Sequence, residues 1–209
     1  MPDSNRRKTL RLSLIDGSFF AAMTGFTEQY LTPYALAMGA TTTQIGLLTS
    51  IPNLVGSLSQ VKSPEAAERI GGRNKLILVS IFLQGLAWLP IIVIPWMVPS
   101  TYQVPVLIAL VTLFNVTGAY AAPSWNSILS DCAPERRRGD FFGTRNRWMG
   151  AITVVCSFVA GAILHYYHRD LTGFAVIIGL AFAARMISWC FLTQIYEPPL
   201  TIRDEHRFT

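Results

Sequence analysis

The sequence predicts an all-α, polytopic membrane protein whose six transmembrane helices form one bundle. Three observations predict it. Of 209 residues, 51% are hydrophobic and only 14% are charged, where a soluble domain carries about 25% charged residues. Mean hydropathy is +0.39. Apolar segments long enough for a ~30 Å hydrocarbon core, which takes about 20 helical residues, recur along the chain with polar connectors of alternating character.

The spans read as 12–36, 44–61, 76–96, 104–129, 148–166 and 174–196. Residues 1–11 form a tail, and 197–209 a second tail or the start of a central linker. The first run is too long and too acidic for the apolar part of a cleavable signal peptide and lacks a small-x-small cleavage pattern, so it is expected to remain as a span. The second is the most interrupted, by Pro52, Asn53 and several serines; neighbouring helices can satisfy the carbonyl a proline frees. The third ends at Trp96 and the fifth begins at Trp148, both suited to interfacial anchoring. Within the fifth, Ser157 and Gly161 form a small-xxx-small pair that favours close helix packing.

Lysine and arginine set the orientation. Four precede span 1 (Arg6, Arg7, Lys8, Arg11), four follow span 2 (Lys62, Arg69, Arg73, Lys75), five arginines fill 134–147 after span 4, and two lie in the last tail (Arg203, Arg207). The opposite connectors hold Arg169 alone, and Arg185 lies inside span 6. Basic short loops stay cytoplasmic, so both termini are expected in the cytoplasm, with the plasma (inner) membrane as the default location. The arginine block is therefore an address before it is a binding site. Nucleic-acid binding is disfavoured, because no folded soluble unit is left to carry a basic footprint.

Ionisable groups inside spans are few and expensive, at about 2.5–3.5 kcal/mol each at a helix centre. Asp16 and Glu28 lie in span 1. At 100° per residue, Asp16, Thr27, Ser13, Thr24 and Glu28 fall within about 120° of helix surface. Such a stripe faces a water-filled cavity or a polar partner. Asp16 is expected about 6 Å inside the cytoplasmic end, within reach of water, and Glu28 about 24 Å along. On span 4, Thr112, Asn115, Asn126 and Ser130 share about 60°, with Ala119 and Ala122 between them. The asparagines are either interhelical glue or a cavity wall. Arg185, near mid-membrane, is either a structural charge held by an ion pair or carbonyls, or a group that fixes an anionic substrate or an acid that changes protonation. The substrate and ion-pathway candidates are thus Asp16, Thr24, Thr27, Glu28, Asn115 and Asn126.

Other chemistries find little support. Cys132, Cys156 and Cys190 are widely spaced and read as small apolar helix residues. His165 and His168, with Asp170, make a weak metal pattern that reads better as a solvated loop. No metal and no cofactor is expected. No Gly-x-Ser-x-Gly, HExxH or paired helix aspartates occur, so an intramembrane enzyme is disfavoured.

Two connectors carry a resemblance to a known family. Residues Glu68-Arg69-Ile70-Gly71-Gly72-Arg73-Asn74-Lys75, between spans 2 and 3, are similar to the acidic-Arg-x-Gly-Arg-basic loop of the major facilitator superfamily of secondary transporters. Gly118-Ala119 to Pro123, followed by Asp131-Cys132-Ala133-Pro134-Glu135-Arg136-Arg137-Arg138-Gly139, resembles that family's fourth helix and its Pro-Glu-x-x-Arg-Gly exit. The chain departs from the pattern at Pro64, where the family carries glycine, at Glu68 in place of aspartate, and at Gly72 in place of a basic residue. The helix-4 arginine of many antiporters is replaced here by a region of Thr112, Asn115 and Thr117. The resemblance covers about 10–200, the N-terminal six-helix half of a twelve-helix fold. It implies transport of a small solute by alternating access, with a proton or other ion as a candidate for coupling. It also implies spans 1 and 4 at the cavity with 3 and 6 at the periphery, which makes Arg185 structural. The loops imply a conformational latch built from Glu68, Arg69, Arg73, Asp131 and Arg138. A full carrier would need a second six-helix half or a homodimer. The competing readings are a non-transporting membrane interaction or assembly protein, and an inactive truncated fragment of a carrier.

Overall fold

The computed structural model describes residues 2–133 and 138–195; the start of the arginine block at 134–137 and the tail from 196 lie outside the described residues. The described chain is helical: α1 (Pro2–Thr27), α2 (Leu31–Ala37), α3 (Thr42–Gln60), α4 (Ser63–Ile70), α5 (Arg73–Leu86), α6 (Trp88–Met97), α7 (Ser100–Cys132), α8 (Arg138–Tyr166) and α9 (Leu171–Leu192), with no strand among the described residues.

The breaks have local causes. Pro33 cannot donate to the carbonyl of Gln29, and Pro90 cannot donate to that of Leu86. The first sits where α1 gives way to α2, the second where α5 gives way to α6. Thr41 starts α3 with a capping box: its side chain accepts from the Gln44 N–H, and the Gln44 side chain accepts from the Thr41 N–H. Gly71 ends α4 at φ 86°, a left-handed conformation that glycine adopts without the Cβ penalty.

By length and composition, four helical stretches are apolar enough to cross a membrane among the described residues: Arg73–Met97, Ser100–Cys132, Arg138–Tyr166 and Leu171–Leu192. The segments 12–36 and 44–61 are helical as well, in α1–α2 and α3. Their polar cavity faces lower their hydropathy. The fifth helix begins at Arg138, ten residues before Trp148, so Arg138, Arg145 and Arg147 belong to a helix rather than to a loop. Trp148 is accordingly inside α8, donating from its indole to Ser18 Oγ at 3.1 Å.

Packing fixes the directions. Helix α1 runs parallel to α8: Thr153 donates to the Ala21 carbonyl at 3.2 Å and Ser157 to the Gly25 carbonyl at 3.0 Å. Gly25 permits this approach, since a Cβ there would lie 2.5 Å from the Thr153 carbonyl oxygen. Helix α3 runs parallel to α7, with Gly56 against Asn115 and, further along at the start of α4, Ser63 donating to the Tyr120 carbonyl at 2.7 Å. Helix α5 is antiparallel to α7, and α9 packs against α1, α5 and α6. One apolar core joins Tyr34, Trp88, Ile91, Leu107 and Ile177, and a second joins Leu12, Ile77, Ile128 and Leu192. Outward faces stay apolar: Leu54 and Leu58 on α3 and Val154, Val155 and Phe158 on α8 are exposed. A bilayer covers such surface at no hydration cost, whereas water would not.

Candidate functional site

A cavity of about 750 Å³ opens along α1, α3 and α7, within the ~300–1,000 Å³ range of small-molecule sites. Its lining includes Asp16, Thr24, Thr27, Glu28, Asn115 and Asn126, so the structure brings together the residues that helical spacing placed on two separate stripes. Ala119 and Ala122 line it too, leaving room beside the α7 backbone.

The polar side chains are held in different ways. Thr24 and Thr27 donate back to the carbonyls of Phe20 and Met23 at 3.0 and 2.9 Å, and Asn115 donates to the Val111 carbonyl at 3.0 Å. Such i−4 bonds satisfy the donor within its own helix. Asn115 lines the cavity, and its Oδ1 accepts no hydrogen bond among the described residues. Glu28 and Asn126 are exposed.

Asp16 is more buried than its place in the sequence suggests. Packed against α9, Asp16 is only 4% exposed. It accepts from Ser188 Oγ at 2.6 Å. Ser188 in turn accepts from Arg185 Nη1 at 3.3 Å. Arg185 is also buried; its Nη2 donates to Gln84 Oε1, and its guanidinium lies 5.0 Å from the centroid of the Phe20 ring. Gln84 donates onward to the Phe114 carbonyl at 3.3 Å. A chain of polar contacts thus links α1, α9, α5 and α7 through the apolar core. Helix α9 packs toward the outside of α1, yet Arg185 still reaches the cavity lining.

A second cation closes the floor. Arg145 of α8 lines the cavity and lies against Gly17, where a Cβ would meet its Nη2 at 3.0 Å. It interacts electrostatically with Asp16. The Nε atoms of both Arg145 and Arg185 are buried without an acceptor among the described residues. An unmade bond of this kind costs about 1–3 kcal/mol, more for a charged group.

The latch candidates divide. Arg73 and Asp131 form an ion pair at 2.8 Å, and Arg138 donates to the Ser130 carbonyl at 2.7 Å. Arg69 instead pairs with Glu65 of its own helix, on an exposed face, and Glu68 is exposed. Sequence spacing did not single out Gln84, Ser188 or Arg145. Gln84 was visible as a lone amide in an apolar run, and Ser188 as a polar residue one turn from Arg185. Arg145 was hidden because the arginine block read as a loop.

The described residues hold no group of three or more His, Cys, Asp or Glu placed to bind a metal. Cys132 is buried, Cys156 half-buried and Cys190 exposed, all as thiols. A family model described as Major Facilitator Superfamily matches residues 14–207. No curated protein and no solved structure matches the chain.

Proposed function

The chain belongs to the Major Facilitator Superfamily, and on that premise we propose that it forms one six-helix wall of a carrier that moves a small solute by alternating access. The observation that carries this reading is the cavity itself. Polar groups from α1 and α7 that cannot face lipid converge on one space of about 750 Å³. That arrangement suits a mid-membrane site at the junction of two bundles. In this reading the basic connectors and both termini are cytoplasmic in the plasma membrane. A second six-helix bundle, from a partner half or a second copy, faces the cavity. Glu28, at the exposed rim, is the coupling-ion candidate, and Asn115 a substrate contact. Arg73–Asp131 and Arg138–Ser130 supply a latch that one conformation holds and the other releases.

The test is uptake into proteoliposomes that hold this chain together with a complementary bundle. Glu28→Gln is expected to abolish or uncouple uptake, and Asn115→Ala to raise KM. Unchanged uptake in both variants removes these residues from the site. Absence of uptake for every solute class, with the bundle pair folded and assembled, overturns the carrier reading in favour of a non-transporting assembly role.

A further inference from the structure

The floor of the cavity carries more positive charge than it neutralises. Arg145 and Arg185 both line it, and the carboxylate set between them is Asp16. Glu28, the other acid in the lining, lies twelve residues further along, about 18 Å up the α1 axis. Among the described residues neither arginine makes a direct ion pair. Asp16 reaches Arg185 only through Ser188, and it meets Arg145 through space. Arg185 is 4% exposed, and its Nε has no acceptor. Arg145 makes no hydrogen bond among the described residues, and its Nε is likewise unmet. Guanidinium groups present five donors in a planar fork suited to carboxylate and phosphate oxygens. Arg185 spends both terminal nitrogens on Ser188 and Gln84 and its Nε is sealed from the cavity, so it supplies charge, while the terminal nitrogens of half-buried Arg145 are the donors left for one further oxyanion in the cavity it lines.

We infer that this floor is an oxyanion subsite, in which Arg145 contacts the anion and Arg185 adds positive charge behind it, and that the solute carries a carboxylate or phosphate group. The inference rests on the carrier reading and names the solute class for it. Asp16, held by Ser188, positions the guanidinium pair rather than touching the anion. Trp88, Phe114 and Trp125, which also line the cavity, give the organic part of the solute an apolar wall. Phe20, with its ring centroid 5.0 Å from the Arg185 guanidinium, adds a cation–π contact that helps hold that charge.

The test is isothermal titration of the full chain in neutral-lipid nanodiscs, with empty nanodiscs as the reference. The probes are benzoate, phenyl phosphate, neutral benzamide and cationic benzylamine. Benzoate and phenyl phosphate are expected to bind at least tenfold more tightly than the other two. Arg145→Gln, at a half-buried position, is expected to remove that preference while the protein stays folded. Arg145→Lys, which keeps the charge but loses the fork, is expected to weaken anion binding severalfold. Equal binding of benzoate and benzamide, no binding of either anion, or an unchanged preference in Arg145→Gln overturns the inference. Selective binding of benzamide would do so while leaving an uncharged-solute carrier standing. Anion binding without uptake in the two-bundle proteoliposomes would leave the subsite standing and remove the carrier. Loss of benzoate binding in nanodiscs containing anionic phospholipid supports the subsite and assigns it to a lipid phosphate as well.

Discussion

Arg73 Nη1 lies 2.8 Å from Asp131 Oδ2 and 2.7 Å from Ser127 Oγ, so the first residue of α5 is clamped to the last turns of α7. The two helices are antiparallel, and this clamp closes the end at which their basic connectors gather. The Arg73 side chain is 9% exposed and that of Asp131 34%, so the carboxylate keeps some hydration while the guanidinium keeps little.

Asp131→Asn should therefore destabilise the bundle by about 1–3 kcal/mol, since a nearly buried cation loses a charged acceptor. Arg73→Gln should cost a similar amount, and the double variant less than the sum, with a coupling of about 0.5–3 kcal/mol. Thermal unfolding of the four proteins in one detergent at one salt concentration measures the cycle. A coupling indistinguishable from zero would show the pair to be a contact without energetic consequence. By contrast, Glu65→Gln should change stability by less than about 1 kcal/mol, because its pair with Arg69 is solvated.

A second prediction concerns Gln84, which bridges the Arg185 guanidinium to the Phe114 carbonyl. Gln84→Leu removes one neutral acceptor from a buried charge, a loss of about 1.5–3 kcal/mol for a hydrogen bond to a charged group. Gln84→Glu keeps the acceptor and adds a counter-charge, so it should be tolerated far better. Gln and Glu are isosteric, so the Glu variant changes charge alone, while Leu, one atom shorter, removes the polar group. Equal melting temperatures for Leu and Glu variants would mean that Arg185 does not depend on α5.

Much of this arrangement was legible in the sequence, and the reason is periodicity. Helix spacing alone put Asp16, Thr24, Thr27 and Glu28 on one stripe and Asn115 and Asn126 on another; the fold then turns both toward one cavity. The segments 12–36 and 44–61 were legible as helices despite their low hydropathy, because their apolar residues remain on the faces away from the polar stripe. Burial was not legible. Asp16 looked within reach of water because it sits one turn into the apolar run, whereas Ser188 of α9 packs on it and it is 4% exposed. Arg145 was hidden for another reason: hydropathy starts the fifth span at Trp148, but the helix already includes Arg138. Partners across helices, such as Ser188 for Asp16, depend on which faces meet, and a single sequence with no repeat carries no signal for that.

The orientation can be checked directly. In a variant with Cys132, Cys156 and Cys190 replaced by alanine or serine, single cysteines placed within 62–75 or 138–147 should resist an impermeant thiol reagent added outside intact cells. They should label in inverted vesicles. A cysteine at Thr41, beside the turn at Gly39, should show the reverse. The expectation follows from the asymmetry of lysine and arginine between the two sets of connectors. Labelling of both sets from the same side would remove the topology, and with it the cytoplasmic latch.

The α1–α8 contact makes the last prediction, one in which two glycines on a parallel helix pair should behave oppositely. At Gly25 an added Cβ would sit 2.5 Å from the Thr153 carbonyl oxygen and 2.7 Å from Cys156 Cβ. The first of these is backbone, which cannot rotate aside. Gly25→Ala must therefore push the helices apart, breaking the Ser157–Gly25 bond and loosening Tyr30, which donates to the Ser157 carbonyl at 2.6 Å. Overpacking of this kind costs about 1–3 kcal/mol. At Gly150, on the same α8, nothing lies within 4 Å of the added Cβ. Gly150→Ala should gain up to about 1 kcal/mol from helix propensity. Melting temperatures in detergent should thus move down for Gly25→Ala and hold or rise for Gly150→Ala. Because α1 carries the floor acid and α8 carries Arg145, the first variant should also weaken anion binding at the cavity floor, while the second leaves it intact. A Gly25→Ala protein as stable as the parent would mean that α1 and α8 do not pack at this distance.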